Sequence, residues 1–280
     1  MSKWNLIIDV ALCHNCNNCV LATKDEYTGN RFPGYAAPQK AHGGDLLRIR
    51  RRDRGAGPVA DTAYLPVMCN HCDQAPCIAA AGDGSIRKRA DGIVIFDPER
   101  TRGRKDLAKS CPYGAIVWND EEQVPQAWPF DAHLLDQGWE QPRGAQACPT
   151  GAMRAVKLSD SEMEKLAAAE KLEVLSPKLG TKPRVYYRNL HRYSAHFLGG
   201  AVAALRDGVE ELIEGASVRL IENNAAVADC LTDAFGDFKF DGLDKGRVYA
   251  VEIESQSRRF RSDDIKLAAS MHLGTIHLQP

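Results

Sequence analysis

The sequence has no apolar run long enough for a membrane: its longest uncharged apolar stretch, around residues 197–205, falls far short of the roughly 20 residues a spanning helix needs. It also lacks a surplus of either charge. With 36 Lys and Arg against 37 Asp and Glu, no overall field draws it to nucleic acid or to an anionic bilayer. The opening Met-Ser-Lys-Trp-Asn-Leu-Ile-Ile-Asp has neither the apolar core nor the twin arginine of an export signal, so a cytoplasmic address is expected. No phosphate loop, nucleophile elbow or dinucleotide fingerprint is present, which leaves no recognisable catalytic constellation. Aromatic residues make up only 7%, and none interrupts the basic run of Arg48, Arg50, Arg51, Arg52 and Arg54. That run reads as a contact with a protein partner and not as a nucleic-acid patch.

Cysteine, by contrast, is plentiful. Nine are present, eight of them before residue 150, in two triplets and two Cys-Pro singletons. The triplets are Cys13-His-Asn-Cys16-Asn-Asn-Cys19 and Cys69-Asn-His-Cys72-Asp-Gln-Ala-Pro-Cys77; the singletons are Cys111-Pro-Tyr-Gly-Ala and Cys148-Pro-Thr-Gly-Ala. Without an export signal, such grouping points to metal or cluster ligation in a reducing compartment and away from disulfides. Two sets of four thiolates suit two 4Fe-4S cubes, for which three spaced cysteines plus a remote Cys-Pro is the ferredoxin solution. Two zinc sites would use the same number of sulfurs, but zinc ribbons pair two Cys-x-x-Cys knuckles and not three plus one. Thr23 and Ala81 stand where a fourth cysteine would follow each triplet, and Thr101, Arg104 and Leu107 stand where three would precede Cys111. His14, His71 and His133 are read as hydrogen-bond partners of sulfur or backbone, since eight thiolates already suffice. Asp131, a conceivable iron ligand, has only Trp128 and Gly144 near it in sequence. Cys230 has no partner cysteine and is expected to act as a small buried hydrophobe.

At 280 residues the chain has room for two domains. Residues 4–10 read as a strand that feeds the first cysteine loop, residues 26–66 as a long irregular segment, and residues 92–97 as a short strand. A helix is expected from Ser159 to about Leu172, with Ser159 and Glu162 as a capping box, and residues 180–188 read as extended. Beyond residue 200 the cysteine groups stop and short alternating strands with turn signals take over. The expected fold is α+β: a ferredoxin-like iron-sulfur domain over residues 1–200, then a small antiparallel β-sandwich over 201–280.

These motifs resemble the four-cluster, ferredoxin-type electron-transfer subunits that accompany molybdopterin enzymes of the dimethyl sulfoxide reductase family. Within it the chain resembles the branch of small subunits from pyrogallol-phloroglucinol transhydroxylase and resorcinol hydroxylase. The resemblance is carried by the two triplets, Gly92-Ile-Val-Ile-Phe-Asp-Pro, Cys111-Pro-Tyr-Gly, Ala132-His-Leu-Leu-Asp136 and Gly180-Thr-Lys-Pro-Arg-Val-Tyr-Tyr. It implies one cluster on Cys13, Cys16, Cys19 and Cys148, and another on Cys69, Cys72, Cys77 and Cys111. It also implies two lost clusters, one at positions 81, 101, 104 and 107 and one at 23, 128, 131 and 144.

The chain itself would be non-catalytic. Catalysis would lie in a large partner subunit carrying molybdenum bis-molybdopterin guanine dinucleotide and acting on a polyhydroxylated aromatic, with an external electron acceptor beyond. The C-terminal domain would be a prealbumin-like or immunoglobulin-like sandwich. The rival expectations are service to another molybdenum enzyme of the same family, and an assembly module that moves no electrons.

Overall fold

The computed structural model describes residues 1–56, 59–206, 208–256 and 258–279, and the chain is mostly β with short helices. It divides into two compact units, residues 1–51 with 64–190, and residues 52–63 with 191–280.

In the first unit the strand Lys3–Asp9 is central, because its run of Leu6, Ile7 and Ile8 is apolar toward both faces and all three are buried. Met153–Leu158 pairs with it antiparallel and Val185–Arg188 pairs with it parallel. This sheet does positional work: Ile8 pairs with Met153, and the Asp9 amide donates to the Ala152 carbonyl at 2.7 Å. The turn after Cys148 is thereby tied to the loop that opens at Val10.

A second apolar cluster, which includes Cys77, Ala81, Ile86, Val94, Phe96, Leu107 and Ile116, joins three short elements. They are the helix Pro76–Ala81, the hairpin Ile86–Lys88 with Val94–Phe96, and the 3-10 turn Lys105–Lys109. Pro76 opens its helix, where a missing amide costs nothing. The helix Asp160–Ala169 has the expected capping box: the Glu162 amide donates to Ser159 Oγ, and Glu162 Oε2 accepts from the Ser159 amide at 2.8 Å.

The reading of residues 26–66 as irregular is corrected in its second half. Arg48–Ala56 and Val59–Val67 form a two-stranded sheet. Its first strand shows no apolar alternation: Arg48, Arg50 and Arg52 donate to backbone carbonyls, and Arg54 is buried against Asp61 and Asp241. Residues 52–63 of this hairpin belong to the second unit.

Beyond residue 190, the described residues of the second unit form two further sheets. In one, His196–Arg206 lies between Met271–Leu278 on one side and Asp237–Leu243 with Val209–Leu212 on the other. In the other, the order is Ala225–Leu231, Ser217–Glu222, Val248–Ser255, Arg258–Arg261. The inward residues Leu198, Val202, Val218, Leu220, Phe238 and Val251 form one shared core. The strand His196–Arg206 runs through position 200, and its pairing with Met271–Leu278 is parallel, so the second unit is not purely antiparallel. Cys230 is half-buried against this core, not fully enclosed as expected.

Candidate iron-sulfur centres

The first thiol set grows out of the central strand. Asp9 Oδ1 accepts from the Ala11 amide and from Asn189 Nδ2, at 2.9 and 2.8 Å, which fixes the start of the loop. Asn15 and Asn17 then adopt left-handed backbone, φ 57° and 62°, a conformation asparagine tolerates better than most residues. Such turns gather amides on one side of the chain, a geometry suited to an anion; the Asn15 amide donates toward the Cys13 sulfur and the Val20 amide toward that of Cys19. Cys19 is carried on the helix Asn18–Tyr27.

Cys13, Cys16, Cys19 and Cys148 lie within one another's electrostatic reach. Burial, and then the charges of Cys13, Cys148 and Cys16, push the Cys19 thiol up to about 12. Cys148 goes the other way: burial opposes it, but the Thr150 hydroxyl and the amides of Met153, Thr150 and Ala152 hold it below the usual thiol range. Cys16, with Leu12 and His14 beside it, is exposed.

The second set is more enclosed. Cys72 and Cys77 are buried, and Cys69 and Cys111 are half-exposed as residues. Burial, then the charges of Cys111 and Cys72, push the Cys77 thiol up to about 11; Cys69 is likewise raised by burial and by Cys77, Cys72 and Cys111. Only thiolates ligate metal. Four such thiols together ionise when a cationic core offsets their mutual repulsion, and the donor sets present fit that of an iron-sulfur cube.

Around the second set are side chains that sequence reading undervalues. Lys88 Nζ donates to the carbonyls of His71 and Cys72, at 2.8 and 3.1 Å, and pairs with Asp73 at 2.8 Å. No motif announces Lys88. Its strand, Ile86–Lys88, looks like any charged edge. His71 is buried; its Nδ1 accepts from the Val94 amide at 3.0 Å and lies 4.0 Å from the Cys69 sulfur. Burial, and then Lys88, bring its pKa down to about 3, so the ring is neutral at working pH. His133 does not behave as expected: its Nε2 bonds Glu26 at 2.8 Å, its ring stacks on Phe32 at 3.8 Å, and its Nδ1 has no hydrogen-bond partner among the described residues.

Seven of the eight positions in the two frames read as lost clusters are buried, and Arg104, the eighth, is half-buried and pairs with Asp106 at 3.0 Å. Trp128 and Asp131 are fully buried, Thr23 nearly so, and Gly144 is packed 3.5 Å from the Cys19 Cβ as measured from an added Cβ. Asp131 Oδ1 accepts from Tyr27 Oη and Trp128 Nε1, at 2.7 and 2.9 Å, and Oδ2 accepts from the Arg143 amide at 2.8 Å. Both carboxylate oxygens are therefore engaged. In the other frame Thr101 Oγ1 donates to the Asp97 carbonyl at 2.7 Å, while Ala81 and Leu107 join the apolar cluster around Cys77. Replacing Asp131 by leucine strands two buried donors and the part-buried Arg143 amide, and a loss of about 3 kcal/mol in chemical denaturation is expected, with iron content unchanged.

Comparison with known proteins agrees with this chemistry. Residues 60–158 match the 4Fe-4S dicluster domain family. The whole chain is similar to the pyrogallol hydroxytransferase small subunit of Pelobacter acidigallici, with 41% identity over 99% of this chain and 100% of that one. It is also similar to a tetrathionate reductase subunit of Salmonella typhimurium, 28% identical over 67% of this chain and 73% of that one. The arsenate respiratory reductase iron-sulfur subunit ArrB of a Shewanella species is 26% identical over 66% and 95% respectively.

Proposed function

Because the chain belongs to the iron-sulfur electron-transfer subunits of molybdopterin oxidoreductases, in the family of the pyrogallol hydroxytransferase small subunit, we propose that it carries electrons for a molybdenum subunit acting on a polyhydroxylated aromatic. The clusters would supply one-electron storage. Cys13, Cys16, Cys19 and Cys148 hold one, and Cys69, Cys72, Cys77 and Cys111 hold the other. The observation that supports this most is the gathering of the eight thiols into two mutually repelling groups of four, while the other two frames hold buried residues at every position but Arg104. Amide donors at Asn15, Val20 and Ile78 and the Lys88 cation favour added negative charge and raise the ease of reduction.

Hydroxylation of an aromatic C–H by water releases two electrons and two protons, and two one-electron centres match that count. Transfer of a hydroxyl between two aromatics releases none, and the centres would then not change redox state overall. The partner subunit holds the molybdenum bis-molybdopterin guanine dinucleotide and the substrate. The second unit serves as a prealbumin-like docking module, and the complex works in the cytoplasm; no helix among the described residues is long and apolar enough to cross a membrane.

The test is anaerobic addition of resorcinol, and separately of pyrogallol, to the oxidised complex. Bleaching of the iron-sulfur absorbance in step with product identifies a hydroxylase, and product without bleaching a transhydroxylase. No product from either, with centres still reducible by dithionite, contradicts the aromatic reading and points to another molybdenum enzyme.

A further inference from the structure

Within the first unit, a surface cleft of about 160 Å³ opens beside the second thiol set. It is lined by Arg48, Arg50, Met68, Asn70, Tyr113 and Leu175, among others. Asn70 directly follows Cys69, and Tyr113 stands two residues after Cys111, so whatever enters the cleft lies against two of the cysteine turns.

Its chemistry is one-sided. Arg48 donates to the Gly114 carbonyl and Arg50 to that of Tyr113 at 3.4 Å, but no ion pair joins either guanidinium to a carboxylate among the described residues. Most other arginines of this unit do have such partners; Arg31, Arg89, Arg104, Arg143 and Arg184 each meet an Asp or Glu. A guanidinium on a carbonyl still has donors to spare. Asn70 is only 3% exposed, yet its Oδ1 has no donor, and its amide torsion is soft enough to re-aim either end at an entering peptide. Met68 and Leu175 add apolar contact. Two unpaired cations, an unsatisfied side-chain amide and an apolar lining together fit a main-chain segment bearing a carboxylate.

We propose that this cleft is an anchor for an acidic segment of the molybdenum subunit, whose Asp or Glu carboxylate takes the spare donors of Arg48 and Arg50 while a peptide group pairs with the Asn70 amide. The inference rests on the proposed function and goes beyond it by naming the contact and its charge. It also puts the partner's chain against the Cys69 and Cys111 turns.

The experiment compares three complexes isolated anaerobically: wild type, Arg48→Gln with Arg50→Gln, and Arg48→Lys with Arg50→Lys. Glutamine can still donate to the Tyr113 and Gly114 carbonyls but carries no charge; lysine keeps the charge. Subunit dissociation is measured across a salt series, together with iron per chain and the spin resonance of the reduced form. The glutamine pair is expected to weaken association by about tenfold or more and to flatten its salt dependence, with iron and spectrum unchanged; the lysine pair should keep the salt dependence.

Wild-type affinity in the iron-replete glutamine pair overturns the anchor while leaving the proposed function standing. Equal loss in both pairs overturns it too, since the arginines would then only brace the Cys111 turn. So does a change in self-association of this chain in place of partner affinity, which would make the occupant a second copy. A wild-type chain that binds no molybdenum subunit contradicts the proposed function itself.

Discussion

Replacing Cys72 by serine is expected to remove one centre's metal, about four irons and four sulfides per chain, and leave the other in place. Cys72 is buried and its carbonyl is held by Lys88 at 3.1 Å, so the serine is delivered to the same place with a shorter, harder oxygen. Burial already raises the Cys72 thiol, and a hydroxyl, far less acidic still, does not become an anion there. Three thiols do not close a cube. The first set grows from the Lys3–Asp9 strand and the Cys148 turn, and it uses none of the helix Pro76–Ala81 or its apolar cluster. It should keep its iron. Cys230→Ser is the matched control and should leave iron and sulfide as in wild type, because that thiol only packs against the second unit's core. Full iron in Cys72→Ser would remove Cys72 from the ligands.

Arg54→Met carries the second large effect, on the stability of the second unit. Arg54 is 3% exposed and forks onto Asp241, Nη1 to Oδ1 at 2.7 Å and Nη2 to Oδ2 at 2.9 Å, while Nη2 also reaches Asp61. Methionine fills the volume but leaves two half-buried carboxylates facing each other with only Lys239, and for Asp61 also Arg192, as remaining cations. Breaking a buried pair from one side costs about 3–5 kcal/mol; with Lys239 and Arg192 left in place, denaturant melting of the second unit should shift by the low end of that range, about 3 kcal/mol.

The same cluster sets an acid limit. Burial alone would raise the Asp61 carboxyl, but hydrogen bonds from Arg54 and Lys239 outweigh it and hold the pKa at about 2; Asp241 is also depressed, against burial, by Arg54. A carboxyl depressed on folding contributes stability that is full above its unfolded pKa of about 3.9 and is lost as pH falls toward 2. In Arg54→Met that acid dependence between pH 4 and 2 should shrink to the part that Lys239 and the Gly242 amide still support. A variant as stable as wild type, with the same acid limb, would show that the cluster is incidental.

These cases show where the sequence is legible. Cysteine spacing speaks directly, since four thiolates around one core allow few arrangements, and Ser159 with Glu162 marks a helix start through strictly local bonds. The strand at residues 3–9 is legible for a similar reason, its apolar run being continuous. The hairpin Arg48–Ala56 with Val59–Val67 is not. Its key residue, Arg54, finds its partner 187 positions later at Asp241, and a charged strand stabilised by a remote carboxylate looks like a loop. Lys88 is hidden in the same way, because its acceptors are backbone carbonyls that no residue type advertises. The vacated frames lie between these extremes: the missing cysteines are visible, but the Tyr27, Trp128 and Arg143 donors that close around Asp131 emerge only from the fold.

Iron and acid-labile sulfide per chain, measured on anaerobically purified complex with spin resonance after dithionite reduction, test the central claim most directly. The account predicts about eight of each in this chain, and two reducible paramagnets. Zinc with negligible sulfide, or clusters that no reductant changes, would contradict it and leave the chain a structural module.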